Sequence, residues 1–262
     1  MTTKMYLWYL QKPGGHSSYP SPLPEAIGAI LTMTKGANNL LVSPGFLSAT
    51  YNTTDTFIDS LASATNGFRN HYSIGFLRGM GKGDYFNRLS CHEKKINSAT
   101  CPLSYGPVFH LKNASEDHRK MIFIYSYRNK NLAPTIYYPS MSLTLDDAKQ
   151  WLLHIQVNAI VIGSSNFSYA TYFNTNGSSR ERGESDLILM AHNSNNPSSN
   201  FSNIIEGFSS SASTHNYLQE QFSESVFAEG VFYGADDNPQ AYLNDILLKT
   251  LESHVDNVST NL

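Results

Sequence analysis

Three short runs carry the densest apolar character in the chain: HRKMIFIY (118–125), NAIVIG (158–163) and ESDLILMA (184–191). Each is nearly continuous rather than alternating, the pattern of a strand buried on both faces. Between the first two, SLTLDDAKQWLLHI places its apolar residues at helical spacing and predicts a helix over 142–155, with Thr144 or Asp146 as its cap. Upstream, PEAIGAILTMTK reads as a helix with Pro24 in its first turn, and NNLLVSP as a strand at about 38–44. TTDTFIDSLASA reads as a helix with Thr54 or Asp55 near its N-cap, HYSIGFLR as a strand at 71–78, and GPVFHLK as a strand at 106–112. Near the other end, PQAYLNDILLKTLESHV is an amphipathic helix with Pro239 in its first turn. The segment QKPGGHSSYPSPLP (11–24) is loop, as are 168–183 and most of the Ser/Asn-rich stretch 193–215 around SNIIEGF. No internal repeat is visible. Helices alternating with strands predict an α/β protein whose mixed β-sheet is flanked by helices. Residues 1–192 form the main domain, and a Ser/Asn-rich C-terminal extension, 193–262, ends in a helix packed on the same domain.

Composition narrows the function classes. The 262 residues are 40% apolar and 12% aromatic, enough for a large buried core without staples. The net charge of −3 gives no global attraction to polyanions, so a nucleic-acid site has to be a local basic patch. Cys91 and Cys101 stand apart from any CxxC pairing, which argues against a structural zinc site. The apolar patch in MTTKMYLWYLQK is shorter than a signal-peptide core, and no apolar run reaches the ~20 residues of a spanning helix. The expectation is a cytoplasmic protein without a membrane partner.

The candidate chemistry sits where the three late strands begin or end. His118 and Lys120 flank Arg119, so an extended chain presents an imidazole and an ammonium on one side and sends Arg119 to the other. Gly163 frees the backbone to turn, and Ser164, Ser165 and Asn166 follow with small donors. Glu184 opens the third strand, and Asp186, two residues on, shares its face and is an alternative to it. Together these groups form a kit for phosphodiester chemistry. The histidine attacks phosphorus or protonates the leaving oxygen, lysine and asparagine stabilise the charged oxygens, and the carboxylate fixes the histidine tautomer. A second feature, GMGKGDYF, puts Lys82 among glycines, either as a phosphate-binding loop or as a plain flexible turn; it lacks the Gly-Lys-Ser/Thr of a Walker loop.

H-x-K before an apolar strand, then an apolar strand ending in G-S-x-N, then a Glu opening another strand, resembles the phospholipase D superfamily. Within it, the pattern is most similar to the single-motif nucleases and the metal-independent restriction endonucleases. The match rests on His118-Arg119-Lys120, Gly163-Ser164-Ser165-Asn166 and Glu184, and covers about residues 105–192. The resemblance implies a phospholipase D-like fold, a phosphohistidine intermediate, no metal or other cofactor, and a homodimer whose second subunit supplies the second H-x-K motif. The sequence departs from the family pattern H-x-K-x4-D, because Tyr125 stands where the aspartate would be, and the spacers to Asn166 and Glu184 are long. A rival register, His110-x-Lys112 with Asp117, matches letter for letter; the polar NASED after Lys112 is no buried strand, whereas MIFIY after Lys120 is one.

The implied substrate is nucleic acid, with DNA ahead of RNA. A basic group of Arg119, Lys120, Arg128 and Lys130 lies on or beyond the catalytic strand, and Tyr169, with Tyr172 and Phe173, follows Asn166 where it can stack on bases or simply anchor a loop. The alternatives are a phospholipase or phosphatidyl transferase with the same chemistry, and a catalytically silent module that binds nucleic acid or protein.

Overall fold

The computed structural model describes residues 4–12, 23–33, 39–44, 72–78, 103–110, 119–129, 145–165, 184–192, 227–230 and 238–254. In chain order these contain β1 (Lys4–Lys12), α1 (Leu23–Met33), β2 (Asn39–Pro44), β3 (Tyr72–Arg78), β4 (Leu103–His110) and β5 (Lys120–Tyr127). There follow α2 (Leu145–Leu153), β6 (Ile155–Gly163), β7 (Glu184–His192), β8 (Phe227–Gly230) and α3 (Pro239–His254). The helix expected at TTDTFIDSLASA lies outside the described residues.

All eight strands form one sheet in the order β4-β3-β2-β5-β6-β7-β1-β8. It is mixed: β2, β3 and β4 run parallel, and every other neighbouring pair is antiparallel. The α/β class read from the alternation of patterns therefore holds. The almost unbroken apolar runs at β5, β6 and β7 are explained by burial on both faces, with Ile122, Phe123, Ile124, Ala159, Ile160, Ile188 and Met190 all sealed from solvent.

One face of the sheet is covered by α2 and α3. Phe123 and Tyr125 of β5 and Val157 and Ile160 of β6 meet Ala148 and Trp151 of α2 and Leu243, Leu247 and Leu251 of α3 in one core. Trp151 stands edge-on to Tyr125 at 5.1 Å between ring centroids. The ion pairs on these helices, Lys149–Glu252 and Lys249–Asp245, are about half exposed and add little beside that apolar burial. Asn238 caps α3, its Oδ1 accepting from the backbone N–H of Ala241 ahead of Pro239 at the first helical position.

Two elements differ from the sequence reading. The N-terminal apolar patch is not a stray segment but β1, inserted between β7 and β8, where both faces want apolar residues; Met5 and Leu10 are buried there. Within the C-terminal extension, β8 pairs with β1, so residues after 192 supply both an edge strand and part of the core. Boundaries also move. The helix expected over 142–155 stops at Leu153, because Ile155 and Val157 are claimed by Tyr127 and Tyr125 across the sheet.

That claim comes with a bulge. Ile124 pairs with Ala159 but Tyr125 with Val157, leaving Asn158 as the extra residue. The bulge shifts the pleat, so Val157 and Ile160, three apart, both face the helices. Beyond the last β6–β7 pair, Ala159 with Met190, β6 has no strand on that side among the described residues. Asn244 of α3 takes its place: its Oδ1 accepts from Val157 N at 2.7 Å and its Nδ2 donates to the Ile155 carbonyl at 3.3 Å. Asn244→Leu, which keeps the volume but strands the buried Val157 N–H, should cost about 1–3 kcal/mol, read as a lowered midpoint of urea unfolding. An unmoved midpoint would mean that this amide contributes nothing.

Candidate active site at one edge of the sheet

Chain direction decides where the three sequence motifs meet. β5 begins at Lys120, antiparallel β6 ends at Gly163, and antiparallel β7 begins at Glu184. The start of one, the end of the next and the start of the third must fall on the same edge. The register confirms it: Met121 lies opposite Ile162, and Gly163 opposite Asp186. The end of β2 joins them, with Pro44 opposite Lys120, and so does the end of β1, with Lys12 opposite Glu184. Pleat parity then puts Lys120, Gly163, Glu184 and Asp186 on one face of the sheet. At about 4.8 Å per strand, Lys120 and Glu184 are about 10 Å apart along that edge.

The turn after β6 is held by two parallel hydroxyl–carboxylate contacts. Ser164 Oγ donates to Glu184 Oε2 in a short hydrogen bond and accepts from the Ser185 N–H at 2.9 Å. Ser165 Oγ donates to Asp186 Oδ2 at 2.6 Å, and Ser165 N–H reaches Oδ1 at 3.4 Å. The strand ladder continues through Ser164 N–H to the Ser185 carbonyl at 2.9 Å. Gly163 is required by space: a Cβ there would lie 2.0 Å from Asp186 Oδ1 and 2.5 Å from the Ser185 carbonyl oxygen. Asp186 is 5% exposed. Burial pushes its carboxyl up to about 6, against the hydrogen bonds from Ser165, which pull it down; the Glu184 charge adds to the rise.

Several residues singled out in the sequence have other tasks. Arg119 points to the helix side, as strand parity requires, and its Nη1 donates to Ser253 Oγ of α3 at 2.8 Å. Its carbonyl accepts from Ser43 Oγ of β2 at 3.0 Å, and Ser43 is buried, so the entry to β5 is pinned from both sides. Arg128 is at the opposite edge of the sheet, where its Nε donates to the Ile155 carbonyl at 2.9 Å. Of the two residues expected to bind substrate, Arg119 is thus turned to the opposite face and Arg128 stands a strand length away, so the structure does not bring them together with the turn. Ser165 likewise sends its hydroxyl inward to Asp186 rather than outward to a substrate.

His118, Asn166, Lys82, Lys130 and Tyr169 lie outside the described residues. Lys112 and Asp117 of the rival motif do so as well; His110 closes β4. That strand end is on the same edge but three strands from β5, about 14 Å away by strand spacing. Lys120, by contrast, adjoins the Gly163–Ser165 turn. Sequence reasoning missed Lys12, whose register opposite Glu184 depends on an unassigned strand, and Ser43, which nothing in its own segment distinguishes. It also left open which carboxylate does what, and burial separates them.

Compared with models of protein families and with curated proteins, the sequence matches none. Among the described residues, no helix is long and apolar enough to cross a membrane.

The raised Asp186 carboxyl makes stability depend on pH with a definite sign. Its folded value, about 6, exceeds the ordinary 3.8, so between those values the folded chain binds the proton that the unfolded chain releases. The contribution is complete below about 3.8 and is lost as pH rises through about 6. Stability relative to Asp186→Asn should fall by about 3 kcal/mol over that window, measured by urea unfolding at fixed pH steps. Parallel profiles for the two proteins would mean that this carboxyl is not desolvated.

Proposed function

We propose that the chain is a phosphodiesterase of the phospholipase D-like kind that cleaves nucleic acid without a metal, in an active site shared by two subunits. The supporting observation is the meeting of Lys120, the Gly163–Ser164–Ser165 turn and Glu184 at one edge and on one face of the sheet, from strands far apart in sequence. Residues that merely decorate loops have no reason to share an edge and a face. Among the described residues of that edge, the carboxylates Glu184 and Asp186 are each engaged by a serine hydroxyl, an arrangement that favours positioning over cation binding.

In this reading the neutral imidazole of His118 attacks phosphorus. A P–N bond forms as the P–O bond to the leaving group breaks, and the leaving oxygen takes a proton from His118 of a second subunit, related by a two-fold axis. Water, losing its proton to that second imidazole, then attacks the phosphohistidine and frees the first. Lys120 and Asn166 stabilise the charge on the phosphoryl oxygens. Ser164 holds Glu184, which is placed to orient an imidazole on this face. A site made of lysine, amide and imidazole suits the phosphate backbone, and because the chain as a whole carries a net charge of −3, the attraction has to come from such local groups. The fold-level alternative, action on a phospholipid, has no supporting feature among the described residues.

Plasmid and single-stranded DNA incubated in excess EDTA should be cut, whereas phosphatidylcholine vesicles should not. His118→Ala should abolish cleavage and Lys120→Ala should lower kcat by about 100-fold or more, both with unchanged unfolding midpoints. Cleavage lost on chelation and restored by magnesium, or lost in His110→Ala but kept in His118→Ala, would sink the reading.

The shared site is checked by mixing. When wild-type and His118→Ala subunits are allowed to exchange, each mixed dimer lacks one of its two histidines, so activity should fall as the square of the wild-type fraction. A linear fall would show that one chain holds a complete site.

A further inference from the structure

We propose that Asp186 is a positioning residue for this site: its carboxylate, held between Gly163 and Ser165, fixes the turn that binds Glu184 through Ser164 and leads into Asn166. The catalytic meaning of this clamp rests on the phosphodiesterase reading; the clamp itself rests on geometry. A carboxylate that is 5% exposed is costly unless its oxygens are satisfied, and here both are turned to a single residue, Ser165, through its hydroxyl and its backbone N–H. Gly163 closes the third side, since any side chain there would occupy the space of Oδ1. Neither Ser165 nor Asp186 is demanded by the motif, for Ser165 is the free position of G-S-x-N and Asp186 lies beyond the Glu. Yet the two are buried and aimed at each other.

The neighbouring contact makes the clamp two-pronged. Ser164 and Ser165, adjacent in the turn, are gripped by Glu184 and Asp186, which are two apart and share a face of β7. Rotation of the turn about Gly163 breaks both contacts at once.

Among the described residues, the charged and titratable groups around Asp186 are few. Glu184 precedes it on β7; Gly163, Ser164 and Ser165 at the end of β6 carry none; on β1 its register partner is Leu10, with Lys12 opposite Glu184; Lys120 lies one strand further, on β5. Ionised, the carboxylate accepts from both Ser165 donors. Protonated, one oxygen becomes a donor itself and the grip on the turn loosens.

The experiment combines kinetics with an amide titration on the full-length protein. Asp186→Asn and Ser165→Ala should each lower kcat on plasmid DNA in EDTA by about 100-fold with KM unchanged. The double variant should be no worse than either single one, because the two act as a unit. In the wild type, the backbone amide resonance of Ser165 should titrate with a midpoint near 6, and in Asp186→Asn that transition should vanish. Full kcat in the folded Asp186→Asn protein, or losses that multiply in the double variant, would overturn the positioning role. Should the wild type cut neither DNA in any condition, the phosphodiesterase reading falls; the Ser165 titration then decides the clamp alone, and an amide indifferent to Asp186 overturns it.

Discussion

Antiparallel pairing of β5, β6 and β7 is the constraint on which the candidate site depends. Three strands that alternate in direction bring a start, an end and a start to one edge, whatever the length of chain between them. Register does the rest. A slip of one residue between β6 and β7 would turn Asp186 and Glu184 to the helix side and leave the Gly163 turn facing other groups. It would also break the Ser164–Glu184 and Ser165–Asp186 contacts. Around the register, Phe123, Tyr125 and Ile160 are sealed against α2 and α3, while Ile122, Ile124 and Val161 are buried on the other face, so β5 and β6 are packed on both sides. The site inherits its geometry from hydrophobic burial that it does not touch.

Both ends of β5 are secured by an arginine, and neither guanidinium is directed to the site. At the far edge Arg128 donates through its backbone N–H to the His154 carbonyl and through Nε to the Ile155 carbonyl, closing the turn between α2 and β6. At the near edge Arg119 reaches Ser253 of α3 while Ser43 holds its carbonyl. A planar, multi-donor cation suits such fixed acceptors better than a flexible ammonium does. The consequence for function is a division of the basic group seen in the sequence. Among the described members, Lys120 alone combines the face and the edge of the serine–carboxylate turn, so the charge this group offers a substrate there is a lysine's.

Strand identity was legible wherever burial on both faces wrote an unbroken apolar run, as in β5, β6 and β7, and helix identity wherever a capping residue or Pro stood before a 3.6-residue pattern, as in α1 and α3. The parity argument that separates Lys120 from Arg119 was also legible, because a pleat has only two sides. Three things were not. β1 was hidden because MYLWYL is too short to announce itself as anything and its meaning depends on β7 and β8, which are remote in sequence. The exchange of helix for strand at Ile155 turned on a tertiary demand, the pairing with Tyr127, that overrides the helical spacing of WLLHI. The partners of Arg128 and Ser165 were not legible either, because a sequence shows which donors exist but not which acceptors burial places beside them.

Glu184 and Asp186 show how depth within one strand can give two like groups different work. They share a face and stand one pleat period, about 7 Å, apart. Glu184 is half-buried at the mouth of the sheet, where it can meet another group arriving at the edge. Asp186 sits where the sheet excludes water, and the cost of its charge appears as a carboxyl raised to about 6. An alanine or valine at 186 would suit the interior better by the measure of burial alone. The carboxylate is tolerated because Ser165 offers it two donors and Gly163 gives it room, and those same contacts restrain a turn that the apolar core, ending at Val161 and Ile188, no longer reaches. Stability gained from packing stops short of the site; from there a buried polar contact carries the order outward.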